Sequence, residues 1–115
     1  MEDNIRVNIS GENITISEGD KSLVVRMNDN YKYESETLVN LIREGNRMPE
    51  YLQEYLSGLV VLLLDNGIRD IGDIYRDGIV LLNFLTTLNY IKKEWENIKQ
   101  IRRWKREYEE NEKEI

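Results

Sequence analysis

The chain has 115 residues, enough for one folded domain, and its apolar fraction of 40% is typical of globular proteins. It contains no cysteine and no histidine, which excludes disulfide bonds, thiol nucleophiles and histidine-based catalysis. Its net charge of −6 argues against general binding to nucleic acid or to an anionic membrane. The polar, acidic start and the shortness of the apolar runs predict a cytoplasmic protein without membrane contact, folded as a single domain over residues 1–115.

The first 34 residues alternate between apolar and polar side chains, as strands with one buried face do. Four such stretches are separated by turns rich in Gly, Asn, Asp and Ser, and the last stretch contains Tyr31 and Tyr33. This pattern predicts a four-stranded antiparallel meander over residues 1–34. Its polar face would be mildly basic, because it would carry Arg6, Arg26 and Lys32. We interpret this face as a solvated sheet surface, with nucleic-acid binding as the alternative.

Helical periodicity replaces the strand pattern from Ser35, a residue type that often caps helices. The first helix should end at Gly45, and Pro49 suits the first turn of a second helix that should end at Gly67. Residues 35–91 are therefore expected to form a set of apolar helices.

An acidic cluster follows the second helix and consists of Asp65, Asp70, Asp73 and Asp77. Carboxylates three and four residues apart can share a helical face and hold Mg²⁺ for phosphate chemistry. Aspartate is also a common capping residue, and Asp70 with Asp73 three residues later fits the start of a short helix. We therefore expect these residues to act as caps, and we expect no metal, no cofactor and no enzymatic activity.

The second helix contains an unbroken apolar run from Leu59 to Leu64, which needs apolar cover on more than one side. Residues 79–91 are nearly as apolar all round, so one sheet and two such helices should leave apolar surface uncovered. We therefore expect a homodimer, with a monomer whose core closes on itself as the alternative. The expected interface residues are Leu59, Leu63, Phe84, Leu88 and Ile91.

From Ile79 onward the helical pattern contains no proline and predicts one long helix. Its apolar positions repeat as in a short coiled coil, and they are Phe84, Leu88, Ile91, Trp95 and Ile98. A helix over residues 79–112 would be about 50 Å long, whereas a globule of this size is about 35 Å across. We therefore expect residues 92–115 to project as a charged helix.

Residues 92–106 combine seven basic with two acidic side chains, and the residues after them carry a net charge of −4. The binding candidates in this basic segment are Trp95, Lys99, Arg102, Arg103, Trp104 and Arg106. One interpretation is a protein-interaction helix whose cations pair with glutamates four residues later, such as Arg103 with Glu107. The alternative is contact with single-stranded nucleic acid, in which cations meet phosphates and indoles stack on bases.

These observations predict an α+β domain whose function is to bind another protein. Small size and composition favour a viral or mobile-element accessory protein that inhibits a host complex. A single-stranded nucleic-acid-binding protein is the alternative.

Overall fold

A sheet followed by helices makes up the computed structural model, which describes residues 5–11, 13–26 and 31–113. Three antiparallel strands lie in the order β1 (Ile5–Ser10), β2 (Asn13–Glu18) and β3 (Lys21–Arg26). The helices that follow are α1 (Lys32–Glu44), α2 (Glu50–Asp65) and α3 (Gly78–Lys113). Short 3₁₀ helices, Gly45–Arg47 and Ile71–Arg76, precede α2 and α3. The prediction of an α+β fold with a long last helix is confirmed.

The register of the sheet places its apolar side chains on one face. Val7 lies opposite Ile16, and Ile16 lies opposite Leu23, so the three strands form an apolar row. Gly19 adopts a φ of +62° in the turn between β2 and β3, a conformation that side chains other than glycine rarely allow. The helices fully bury the inward apolar side chains of β2 and β3. Val7 and Ile9 on the edge strand β1 remain 46% and 49% exposed.

The predicted fourth strand is wrong where the structure describes it. Tyr31 precedes α1, and Lys32 and Tyr33 lie in the first turn of that helix. Two tyrosines separated by one residue fit a helix start as well as a strand, and here tertiary packing decides between them. The ring of Tyr31 stacks on Tyr75, with centroids 4.3 Å apart. The turn predicted before this strand, at residues 28–30, lies outside the described residues.

The helix α2 lies in the centre of the core. Gly67, where φ is +72°, follows its last turn and terminates it, as predicted. The sheet and α3 pack against it. The second 3₁₀ helix packs on β3 and α3 and adds the fully buried Ile71 and Ile74 to the same core. The expectation of uncovered apolar surface did not include the second 3₁₀ helix. One chain therefore buries most of the apolar run of α2, whereas Ile79 and Leu82 of α3 remain 75% and 65% exposed.

The residues expected at a dimer interface lie inside this core instead. None of them is more than 1% exposed. These residues are Leu59, Leu63, Phe84, Leu88 and Ile91. In this conformation a single chain already covers these side chains, and the expected homodimer stays a prediction.

The last helix, α3, determines the shape of the molecule. It has 36 residues, which corresponds to about 54 Å, and the molecule measures 58 × 27 × 27 Å. Its coiled-coil-like positions face the core: Phe84, Leu88, Ile91 and Trp95 are buried, and Ile98 is partly buried. Every residue in 101–112 is exposed, so the projecting part begins about two turns after the predicted residue 92. Within the described residues, no helix combines the length and the hydropathy needed to cross a membrane.

Candidate functional site

The first half of the basic segment is attached to the globule. Trp95 is only 2% exposed, and its Nε1 donates a hydrogen bond to Glu44 Oε1 at 3.2 Å. Lys99 Nζ lies 3.4 Å from the same oxygen. Arg102 donates to the backbone carbonyl of Arg47 at 2.9 Å. Lys99 Nζ and Arg102 Cζ lie 5.5 and 5.3 Å from the centre of the Trp95 ring. These contacts hold α3 against the end of α1. They already engage the side chains of Trp95, Lys99 and Arg102 within the chain.

From Ile101 onward α3 projects from the globule, although Arg102 still bonds to the backbone of Arg47. Ile101, Trp104 and Tyr108 are 60%, 60% and 65% exposed, and their spacing of three and four residues places them on one helical face. We call these three residues the distal stripe. Large apolar side chains grouped on a projecting helix are typical of an interaction surface.

The cations beside the distal stripe are also exposed. Arg103, Lys105 and Arg106 all face solvent. The expected ion pairs with glutamates four residues later are absent from the described part of the chain, since none falls within 4.0 Å. Of the predicted binding residues, the structure thus leaves Arg103, Trp104 and Arg106 accessible.

A groove of about 410 Å³ lies between α2 and α3. Tyr51 and Tyr55 line it, and the ring of Tyr90 lies against that of Tyr55, with centroids 5.0 Å apart at an angle of 58°. The hydroxyl of Tyr51 donates to Glu94 Oε2 at 3.1 Å, and Glu54 lines the same groove. We call this feature the tyrosine groove.

Two tyrosines at the groove, Tyr51 and Tyr90, have raised pKa values. Partial burial raises the pKa of Tyr51, and the hydrogen bond to Glu94 and the charge of that carboxylate raise it further. Partial burial and Glu94 likewise raise the pKa of Tyr90. The groove is thus neutral on its aromatic walls and negative at its rim.

The predicted basic sheet face does not form as a cluster. Arg6 lies opposite Ser17, whereas Arg26 lies opposite Asn13, so the two cations are about four residues, or 13 Å, apart along the strands. Lys32 belongs to α1, where its Nζ lies 3.8 Å from Glu36. The described outer face of the sheet also carries no aromatic side chain on which a base could stack.

The acidic cluster is used for capping and pairing. Asp70 and Asp73 form a reciprocal capping box at the second 3₁₀ helix, as predicted. Asp77 accepts hydrogen bonds from two backbone N–H groups at the start of α3, at 3.0 and 3.2 Å. Asp65 pairs with Lys21 at 2.9 Å. Among the described residues, no group of three potential ligands is placed to hold a metal ion.

The sequence analysis missed the tyrosine groove. Tyr51 and Tyr55 are four residues apart and therefore share a face of α2, which was an available signal. Their contacts with Tyr90 and Glu94 join residues about 40 positions apart, which no local pattern reveals. In comparisons with known proteins, no family model, curated protein or solved structure matches the chain.

Proposed function

We propose that this chain is a non-enzymatic protein–protein interaction module that binds its partner through the distal stripe. The exposure of Trp104 carries this proposal, because a tryptophan that the fold does not use is 60% exposed between two other exposed apolar residues. Tryptophan, tyrosine and arginine are the residue types most enriched at binding hot spots. The core residues of α3 end near Ile98, so a partner can bind beyond them without disturbing the fold.

Charge along the projecting helix supports a defined orientation of the partner. Arg103, Lys105 and Arg106 are followed within one turn by Glu107, Glu109 and Glu110. A complementary partner would place acidic groups beside the basic turn and basic groups beside the acidic turn. Such complementarity fixes register and accelerates association more than it adds affinity.

Single-stranded nucleic acid is the second candidate, favoured by the three exposed cations around Trp104. The support is weaker, because Trp95 is buried and cannot stack on a base. The glutamates after residue 106 would also repel phosphates. Membership of the viral or mobile-element accessory proteins, inhibition of a host complex and self-association are further proposals, based on size, composition and exposed apolar surface.

Affinity capture with matched variants tests the proposal. The full chain, Trp104→Ala and Ile79→Ala are immobilised and exposed to lysate of the organism that encodes the chain, and captured proteins are then re-tested in purified form. Ile79 is a suitable control because it is 75% exposed on the same helix but distant from the distal stripe. Loss of a hot-spot residue costs about 2 kcal/mol, so Trp104→Ala should bind about thirtyfold more weakly while the control binds normally. Equal binding by all three chains would contradict the proposal, and salt-sensitive binding of labelled oligonucleotides instead would favour the second candidate.

A further inference from the structure

The tyrosine groove and the distal stripe lie on the same flank of α3. At about 100° per residue, the positions of Tyr90, Glu94, Ile101, Trp104 and Tyr108 fall within an arc of about 80°. The first two contact tyrosines of α2, whereas the last three extend beyond the globule. About 27 Å of helix separates Tyr90 from Tyr108, so one partner segment can lie along both features.

We infer that the tyrosine groove receives an arginine or lysine side chain of the protein that binds the distal stripe. This inference rests on the proposed function, because it assigns the chemistry of that partner. Ring faces attract cations through their quadrupoles, and a cation within about 6 Å of a ring centre gains most when carboxylates are also close. Tyr51, Tyr55 and Tyr90 are 44%, 50% and 43% exposed, which leaves parts of each ring available.

The lining of the groove favours a cation over an anion or a neutral group. Glu54 is the charged residue among those that line it, and Glu94 adds a second carboxylate through its bond to Tyr51. Partial burial and the charge of Glu94 raise the pKa values of Tyr51 and Tyr90, and that same charge would also attract a positive ligand.

The floor of the groove leaves space for the alkyl part of such a side chain. The partly buried Leu62 provides apolar surface above the buried Leu59, and at Gly58 an added Cβ would meet no atom within 4 Å. Arginine and lysine both carry an apolar stem below the charged group, so the groove matches the two parts of the side chain.

Titration of the ¹⁵N-labelled full chain with defined peptides tests the inference without the natural partner. The probe is a blocked pentapeptide of glycine with two arginines, and its control is the same peptide with neutral citrulline. We expect amide shifts around Tyr55 and Tyr90 with the arginine peptide alone. The double variant Tyr55→Leu, Tyr90→Leu should bind about tenfold more weakly, since two rings are lost.

Two further variants separate ring chemistry from folding and from the proposed function. Tyr90→Phe keeps the ring and should bind the arginine peptide normally, and Trp104→Ala should bind it normally as well. Equal shifts with the citrulline peptide, or unchanged binding by a folded double variant, would overturn the inference. If the peptide binds the groove but Trp104→Ala still captures the same proteins, the proposed function fails while the groove assignment stands.

Discussion

Replacing each tryptophan of α3 with alanine should separate the residue that holds the fold from the one that is free to bind. Trp95 is 2% exposed, and truncating a fully buried tryptophan costs about 3–5 kcal/mol through lost apolar burial and the cavity left behind. With its two cation contacts and its bond to Glu44 also lost, Trp95→Ala should lower the free energy of unfolding by about 4 kcal/mol. The free energy of unfolding of a domain of this length is about 6–17 kcal/mol, so the substitution would remove a large fraction of it.

The same substitution at Trp104 should change the free energy of unfolding by no more than about 0.5 kcal/mol, because that side chain is 60% exposed. Urea unfolding followed by circular dichroism at 222 nm measures both variants against the unmodified chain. With a slope of about 1.5 kcal/mol per molar urea, Trp95→Ala should lower the midpoint by about 2–3 M. Similar midpoints for the two variants would refute the burial argument, as would a larger loss at Trp104.

Three other measurements test the fold and the site. A chain ending at Arg102 should keep the cooperative unfolding of the full domain, with its helical circular dichroism reduced only by the helix removed, whereas one ending at Ile91 should lose cooperative unfolding, because it lacks the buried tryptophan. Asp77→Ala should lower the free energy of unfolding by about 1 kcal/mol, since it removes the acceptor of two N–H groups of α3; an unchanged urea midpoint would contradict that role. The pKa values of Tyr51 and Tyr90 are raised above 10.0, so the folded chain holds those protons more tightly than the unfolded chain. That contribution is complete below pH 10 and is lost as pH rises through the raised values, which absorbance of tyrosinate and urea unfolding at alkaline pH will show.

Local sequence signals predicted most element boundaries after residue 35. Gly67 ends α2, and the Asp70 and Asp73 pair starts the second 3₁₀ helix, because capping and positive φ depend on residues only a few positions apart. The prediction of a fourth strand was wrong because local signals extend over only a few positions. The two-residue spacing of Tyr31 and Tyr33 is too short to distinguish strand from helix, and the deciding contact is with the distant Tyr75.

The candidate site shows the same division between local and distant information. The sequence identified Trp104 as a binding candidate and placed basic side chains beside it. It could not show that Trp95, nine residues earlier, is buried on Glu44 while Trp104 is exposed. Nine residues are about two and a half helical turns, so the two indoles lie on opposite faces of α3, and the globule covers the face that carries Trp95.

The sequence also predicted a fourth strand and a helix start at Ser35, which are wrong, because α1 begins at Lys32. The sequence by itself determined the α+β order, the antiparallel order of β1 to β3, the cap at Asp70 and the long last helix. These features follow from side-chain periodicity and from backbone preferences of neighbouring residues. Only the tertiary structure decided that one chain covers α2, that the basic segment is half attached and half free, and that tyrosines of two helices form a groove. The physical reason is that burial and contact between residues about 40 or more positions apart depend on how the elements pack, which local periodicity does not encode.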